Sequence, residues 1–152
     1  MTIAWIYLDK KSAAVAALKD YTDMEFIINN TPEDIDDVRS KMTAAKAPVI
    51  SKLPKGTPDP HAGEARLVSQ IDEIDILKER YRRALEYMSW FRPAWDALTE
   101  DERFVLSEFF TTDRTKLAAV IRINERLHLE KSQIYYKKEK ALEHLVLLLY
   151  GK

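Results

Sequence analysis

The chain has 152 residues, which suits one compact domain or two small domains joined by a linker. Charged residues make up 32% of it and only three residues are glycine, so the composition favours long solvated helices over sheets, which need many turns. The net charge of −1 means that any nucleic-acid-binding surface must be local, and the absence of cysteine excludes disulfides, thiolate metal sites and cysteine nucleophiles.

The first predicted helices lie upstream of residue 47. Apolar residues there recur at spacings of three and four, as on one face of a helix: Ala14, Ala17, Tyr21, Met24 and Ile28. Thr31-Pro32 predicts the start of a second helix, because a hydroxyl side chain suits the cap and proline suits the first turn. Beyond it a narrow stripe of the coiled-coil kind continues through Ile35, Val38, Met42 and Ala45.

A loop or linker is predicted over residues 47–63, where four of the six prolines and two of the three glycines fall. Asp59-Pro60 predicts the start of the next helix, with the stripe Leu67, Ile71, Ile74, Leu77, Tyr81, Leu85 and Met88. Pro93 is expected to end or kink that helix near Phe91, with Trp90, Phe91 and Trp95 packed at the corner. Such narrow stripes cannot close a core alone, so the two arms either form a hairpin or pair with a second subunit.

The C-terminal segment, residues 96–152, carries three predicted helices. Thr99 and Glu102 have the spacing of a capping box, and the helix that they start has the buried face Val105, Leu106, Phe109 and Phe110. Thr112 or Asp113 is predicted to cap a second helix with buried positions Leu117, Val120 and Ile121. A turn over 126–129 then leads to a final helix that ends before Gly151 and buries Ile134, Ala141, Leu142, Leu145 and Leu149.

A short helix, a short turn and a longer helix form the helix-turn-helix that places its second helix in the major groove of DNA. The charge distribution points to the same segment. Residues 114–140 contain eight basic residues and three acids, whereas residues 99–113 contain five acids and one arginine. A local balance of +5 in a chain of net charge −1 predicts a DNA-facing surface on these elements, to which Arg122, Arg126, Lys137 and Lys140 belong.

The amino-acid sequence of this C-terminal segment resembles that of known families. LTEDERFVLSEFF followed by RINERLHLEKSQIYYKKEKALEHL resembles region four of bacterial sigma factors, with its L-[ST]-x-x-E-R-x-[VI]-L start and A-L-x-x-L finish. The whole chain resembles phage transcriptional activators of the RinA/ArpU type, including the hinge SKLPKGTPD and the helix ARLVSQIDEIDILKERY. The match covers about 55 C-terminal residues well and the first 45 weakly.

The resemblance implies that the residues facing DNA are Lys131, Ser132, Gln133, Tyr135 and Tyr136, with Ile134 buried beside them. Two positions depart from the pattern. Glu130 stands where a serine or threonine cap is usual, which predicts a weaker helix start. Lys137 and Lys138 stand where one apolar residue is usual, and their long stems are expected to cover the core.

The sequence offers no residues for catalysis. The histidines His61, His128 and His144 are too scattered for a metal site, and His128 is expected at a helix end. The three glycines exclude a glycine-rich phosphate loop, and no serine has a nucleophile-elbow context. We therefore expect no enzyme, no metal and no cofactor.

We expect no contact with membranes, because the apolar start before Asp9 lacks the basic region of a signal peptide and LVLLLY at 145–150 is too short to span a bilayer. The predicted protein is all-α and cytoplasmic. Its residues 1–95 form helical arms for self-association or partner contact, and residues 96–152 form a DNA-binding helix-turn-helix.

By the resemblance, the protein regulates phage or mobile-element genes in a bacterial host cell, with double-stranded DNA and host RNA polymerase as partners. Two alternatives stay open. One is a terminase small-subunit-like protein that recognises DNA for packaging. The other is a helical protein-interaction module whose basic residues are only a solvated face.

Overall fold

The computed structural model describes residues 9–45 and 61–151, and every regular element in these ranges is an α-helix, as the composition predicts. The predicted linker lies mostly outside the described residues, but Ala62 and Gly63 already belong to a helix, so its predicted end was wrong. In chain order the helices are α1 (Lys10–Ala45), α2 (Ala62–Ala97), α3 (Glu100–Phe110), α4 (Lys116–Leu127) and α5 (Lys131–Tyr150).

Helix α1 runs without interruption through Thr31 and Pro32, so the prediction of a helix start at this dipeptide was wrong. Proline inside a helix removes one backbone hydrogen bond and costs about 3 kcal/mol. Thr31 nevertheless lies on the apolar face, three residues after Ile28 and four before Ile35, and its side chain is buried. Because the stripe continues in register and Pro32 itself is exposed, packing of one continuous face outweighs the local cost.

Helix α2 likewise continues past Pro93 and ends only at Ala97, so of the predicted end or kink near Phe91 the end was wrong. Burial again explains the continuation. Phe91, Trp95 and Leu98 are buried on both sides of the proline, while Pro93 is exposed. The predicted aromatic packing is confirmed: the ring of Phe91 lies 5.9 Å from that of Trp95 and 6.4 Å from that of Trp90, between centroids.

The described residues fall into two compact units. The first unit contains the described residues 9–24 and 87–151, so it lies on both sides of the predicted domain boundary at residue 95. Its main core draws on four helices. The buried members are Ala14, Ala17, Leu18, Phe91, Ala94, Trp95, Leu98, Leu106, Ala141, Leu142 and Leu145. The ring of Tyr21 lies 5.4 Å from that of Phe91, between centroids, and the hydroxyl of Tyr87 donates to the carbonyl of Ala17.

A second cluster in the same unit joins α3, α4 and α5 through Val105, Val120, Ile123 and Ile134. On α5, Ile134, Ala141, Leu142 and Leu145 are buried as predicted, whereas Leu149 is only partly buried. The predicted buried face of α4 was partly wrong, because Leu117 is 68% exposed and Ile121 is 50% exposed, while Ala119 and Ile123 are buried instead. Both sets recur at helical spacing, and only the position of the neighbouring helices selects between them.

The second unit spans Glu25–Glu86 and pairs the end of α1 with the first two-thirds of α2. Ile35, Val38 and Ile74 are buried together, with Met42 and Leu77 packed against them. The two arms thus form a helical hairpin. The hairpin does not enclose two positions of the predicted α2 stripe, since Ile71 is 45% exposed and Leu85 is 43% exposed.

Candidate nucleic-acid interface

Helix α4 begins at a cap that the sequence analysis misplaced. The hydroxyl of Thr115 accepts from the backbone N–H of Ala118 at 3.2 Å, so neither Thr112 nor Asp113 caps this helix. Thr112 instead contacts the end of α3, where its hydroxyl donates to the carbonyl of Glu108 at 2.9 Å. This cap fixes the beginning of the short helix that precedes the candidate recognition helix.

Three residues, His128 to Glu130, connect α4 to α5. His128 ends α4 with φ 55° and is the one non-glycine residue of the described ranges with positive φ. Its N–H donates to the carbonyl of Asn124 at 2.8 Å, which confirms the predicted helix-end role of this histidine. The side chain of Asn124 in turn donates to the carbonyl of Leu129 at 2.8 Å. The turn is thus held by one residue of α4 from both its backbone and its side chain.

Helix α5 begins after Glu130, whose backbone N–H donates to the side-chain oxygen of Gln133 at 3.0 Å. This contact is the returning half of a capping box, with glutamine as the acceptor. It supports a helix start that the sequence predicted to be weak. It also engages the amide oxygen of Gln133, the residue that the sequence analysis placed toward DNA.

The outward face of α5 agrees with the predicted one. Ser132, Gln133, Tyr136 and Lys140 are all exposed, and Ile134 on the opposite side is fully buried. Tyr136 is 66% exposed, and the ammonium group of Lys140 lies 5.5 Å from its ring centroid. Lys131, at the first turn, is also exposed. This face offers hydroxyl, amide and ammonium groups around one aromatic ring.

Two predicted site residues lie away from this face. Tyr135 is half-buried, with its ring 5.7 Å from that of Phe109 between centroids, so it packs into the α3–α4–α5 cluster. Lys137 is also half-buried, and its ammonium group lies 3.5 Å from the carboxylate of Asp101 on α3. The side chains of both residues therefore contact α3, which argues against their predicted contact with DNA.

The two arginines of α4 that were predicted to face DNA are bound to acids of α3. The guanidinium of Arg122 lies 3.2 Å from the carboxylate of Glu108, which also receives Arg114 at 2.6 Å and is only 8% exposed in its side chain. Arg126 contacts Glu100 at 3.3 Å and lies over the ring of Phe104 at 4.3 Å. These contacts tie α4 to α3.

Ion pairing lowers the positive charge that the sequence count predicted. Five basic residues have acidic partners: Arg114, Arg122, Arg126, Lys137 and Lys140. Their four partners, Glu100, Asp101, Glu108 and Glu143, all lie outside residues 114–140. Including those four acids and Lys11, which lies outside the segment and pairs with Glu139, reduces the local balance from +5 to +2. The positive field is therefore weaker than the linear sequence indicates.

Lys138 was not among the predicted site residues, although its long stem was expected to cover the core. Its ammonium group lies 4.9 Å from the ring centroid of Phe109, 5.4 Å from Phe110 and 5.6 Å from Tyr135. Burial lowers the pKa of Lys138, and the nearby charges of Lys116 and Lys11 lower it further. The lysine covers an aromatic cluster, as its position in place of an apolar residue indicated.

Comparison with known proteins gives no match to any protein-family model, curated protein or solved structure. Within the described ranges, no three histidine or acidic side chains are grouped closely enough to hold a metal ion. In the same ranges, every helix is too short or too polar to cross a bilayer. The candidate site is therefore judged on the geometry of α3, α4 and α5.

Proposed function

We propose that the protein binds duplex DNA through a helix-turn-helix made of α4 and α5, with the outward face of α5 in the major groove. The observation that carries this proposal is the outward set Ser132, Gln133, Tyr136 and Lys140 on a helix whose opposite side is fully buried. A base-reading helix needs such a polar, exposed face on a rigid support.

The connection between the helices supports the same reading. Twelve residues of α4, a three-residue turn and twenty residues of α5 have the proportions of a helix-turn-helix. Asn124 and the left-handed His128 hold this turn, and Val120, Ile123 and Ile134 bury the inner surfaces of both helices. A turn held in this way keeps the exposed side chains of α5 in a constant orientation.

The side chains divide into two kinds of contact. Tyr136 and Ser132 offer groups for base edges, and Gln133 can pair with adenine through both amide atoms once its oxygen leaves the N–H of Glu130. Lys131 and Lys140 suit phosphates, which fix orientation without reading sequence. The pair of Lys140 with Glu143 at 3.4 Å lies on one helix and is exposed on both sides, so it holds the lysine only weakly. Because Arg122, Arg126 and Lys137 are bound to acids, we expect the salt dependence to reflect only about two or three phosphate contacts.

The biological role follows the resemblance to RinA/ArpU-type activators and to sigma region four. On that basis we propose a transcriptional regulator of phage or mobile-element genes that acts with host RNA polymerase in a bacterial cytoplasm. A packaging role like that of a terminase small subunit would use the same motif, and co-purification with RNA polymerase separates the two. No catalytic activity is part of the proposal.

The test has two stages. Selection of bound sites from random duplex DNA comes first, and fluorescence anisotropy on the selected site then compares variants between about 50 and 200 mM salt. Gln133→Ala should weaken the preferred site by about 1–3 kcal/mol and relax selectivity at one base pair. Lys140→Ala should weaken all sequences equally and reduce the salt slope by about 0.9.

The matched control is Lys41→Ala, which removes an exposed lysine from the second unit and should leave binding unchanged. Circular dichroism must show that all three variants are folded. Enrichment of no sequence, together with affinity that does not respond to salt, would exclude DNA binding by this surface.

One observation favours a protein partner instead. Leu117 and Ile121 are large apolar side chains on the exposed side of α4, at 68% and 50% exposure, and the neighbouring arginines are already paired with acids. A helical interaction module would use this apolar pair rather than the face of α5. Double substitution Leu117→Ser and Ile121→Ser should then abolish partner capture, whereas DNA binding through α5 should survive it.

A further inference from the structure

Helix α2 carries an exposed strip beside the face that packs on α1. The strip consists of residues at alternating spacings of three and four, which place them on one side of the helix: Val68, Ile71, Asp75, Lys78, Arg82 and Leu85. Its apolar members are 57%, 45% and 43% exposed at Val68, Ile71 and Leu85. All six residues lie in the second unit and within one continuous helix.

The positions of the strip are spaced symmetrically about the midpoint between Ile76 and Leu77. Two copies of α2 related by a two-fold axis at that point lie antiparallel, and residues equally distant from the midpoint then face each other. Val68 faces Leu85 of the second copy, and Asp75 faces Lys78. The pattern therefore places opposite charges at the centre and apolar pairs at both ends.

The third pair of facing positions is Ile71 with Arg82. The guanidinium of Arg82 is held on its own helix by Glu79 at 2.8 Å and by Glu86 at 3.0 Å. Its charge is thus already compensated, and its methylene stem is available to cover an apolar side chain. Each of the three facing pairs is chemically compatible.

We infer that a second copy of this chain docks on the strip, with the two α2 helices antiparallel. Ile35, Val38 and Ile74 are buried between the two helices of the hairpin, so a second copy of the chain must bind to a different face. The strip on α2 is such a face. From Val68 to Leu85 the helix rises about 26 Å. An interface of one helix pair is small, so we expect weak association that is measurable at about tens of micromolar protein. The inference does not depend on DNA binding.

The test is a charge exchange followed by sedimentation velocity on the full chain. In Asp75→Lys homodimers two lysine pairs face each other, and in Lys78→Asp homodimers two aspartate pairs do. Each variant alone should dimerise at least about tenfold more weakly than the original protein. An equimolar mixture of the two should recover dimers, because every facing pair in the heterodimer is again of opposite charge.

The mixture distinguishes a contact between two copies from an effect of the substitution within one helix. Each chain in the mixture still carries its substitution, so an effect within one helix would persist, whereas a contact between copies would be restored. Asp72→Lys and Arg80→Asp reverse the same charges at exposed positions outside the strip and should leave association unchanged. Failure of the mixture to recover dimers would overturn the inference. So would a monomeric original protein at tens of micromolar, or dimerisation that neither substitution in the strip affects.

The relative orientation of the two α2 helices can be tested separately by disulfide cross-linking, because the chain has no cysteine of its own. Val68→Cys mixed with Leu85→Cys should form a disulfide-linked heterodimer under mild oxidation, faster than either variant links to itself. Preferential linking of Val68→Cys to itself would indicate parallel helices and overturn the antiparallel arrangement.

Discussion

Removal of the buried acid Glu108 should both destabilise the first unit and change its charge. Its side chain is 8% exposed and binds two arginines, Arg114 at 2.6 Å and Arg122 at 3.2 Å. Glu108→Gln keeps the shape and one acceptor but removes the charge, whereas Glu108→Ala leaves both guanidinium groups without this partner. The two substitutions therefore separate the charge from the hydrogen bonding.

The size of the effect follows from burial. A hydrogen bond to a charged group contributes about 1.5–3 kcal/mol when it is buried, and solvent screening lowers this value here because the arginine side chains are 39% and 50% exposed. We expect Glu108→Gln to lower the free energy of unfolding by about 1–2 kcal/mol and Glu108→Ala by about 2–3 kcal/mol. Under the DNA-binding proposal, the released arginines should also steepen the salt slope by up to about 1.8.

Denaturant unfolding followed by circular dichroism measures the first effect, and anisotropy at several salt concentrations measures the second. Glu125→Gln is the matched control, because it removes the same charge from an exposed position on α4 and should change stability by less than about 0.5 kcal/mol. Equal stability of Glu108→Gln and this control would refute the ion-pair reasoning. Lower stability with an unchanged salt slope would mean that the released Arg122 does not reach the DNA.

Two further predictions concern the helix ends. Burial raises the pKa of Glu102, but hydrogen bonds from the N–H of Thr99 and the ring of His144, at 2.9 Å, outweigh burial and hold that pKa below its ordinary value of 4.5. The ionised carboxylate therefore stabilises the fold above pH 4.5, and this stabilisation is lost as the pH falls through the pKa that Glu102 has in the folded protein. Unfolding curves of Glu102→Gln should accordingly respond less to acid than those of the original protein. His128→Gly should raise the free energy of unfolding by about 0.5–1 kcal/mol because glycine suits φ 55°, while His128→Val should lower it, and the opposite order would contradict a left-handed turn there.

Features governed by neighbours in sequence could be predicted from the sequence. The capping box of Thr99 and Glu102 forms as expected, with hydrogen bonds of 3.0 and 3.2 Å, and α5 ends before Gly151, whose φ is 76°. The outward face of α5 also follows from helical periodicity once Ile134 is placed inside. These features depend on hydrogen bonds and side-chain spacings within about one turn of helix, which the linear order of residues specifies.

Features governed by distant neighbours were decided only by the tertiary structure. Pro32 and Pro93 lie inside helices because burial of a continuous face outweighs one lost hydrogen bond. The exposed side of α4 carries Leu117 and Ile121 because α3 and α5 cover the other apolar set. Four of the eight basic residues of 114–140 are paired with acids because Glu100, Asp101 and Glu108 lie on the helix packed against them. Charge and periodicity along a sequence describe one helix at a time, whereas burial and ion pairing depend on which helix comes to lie beside it.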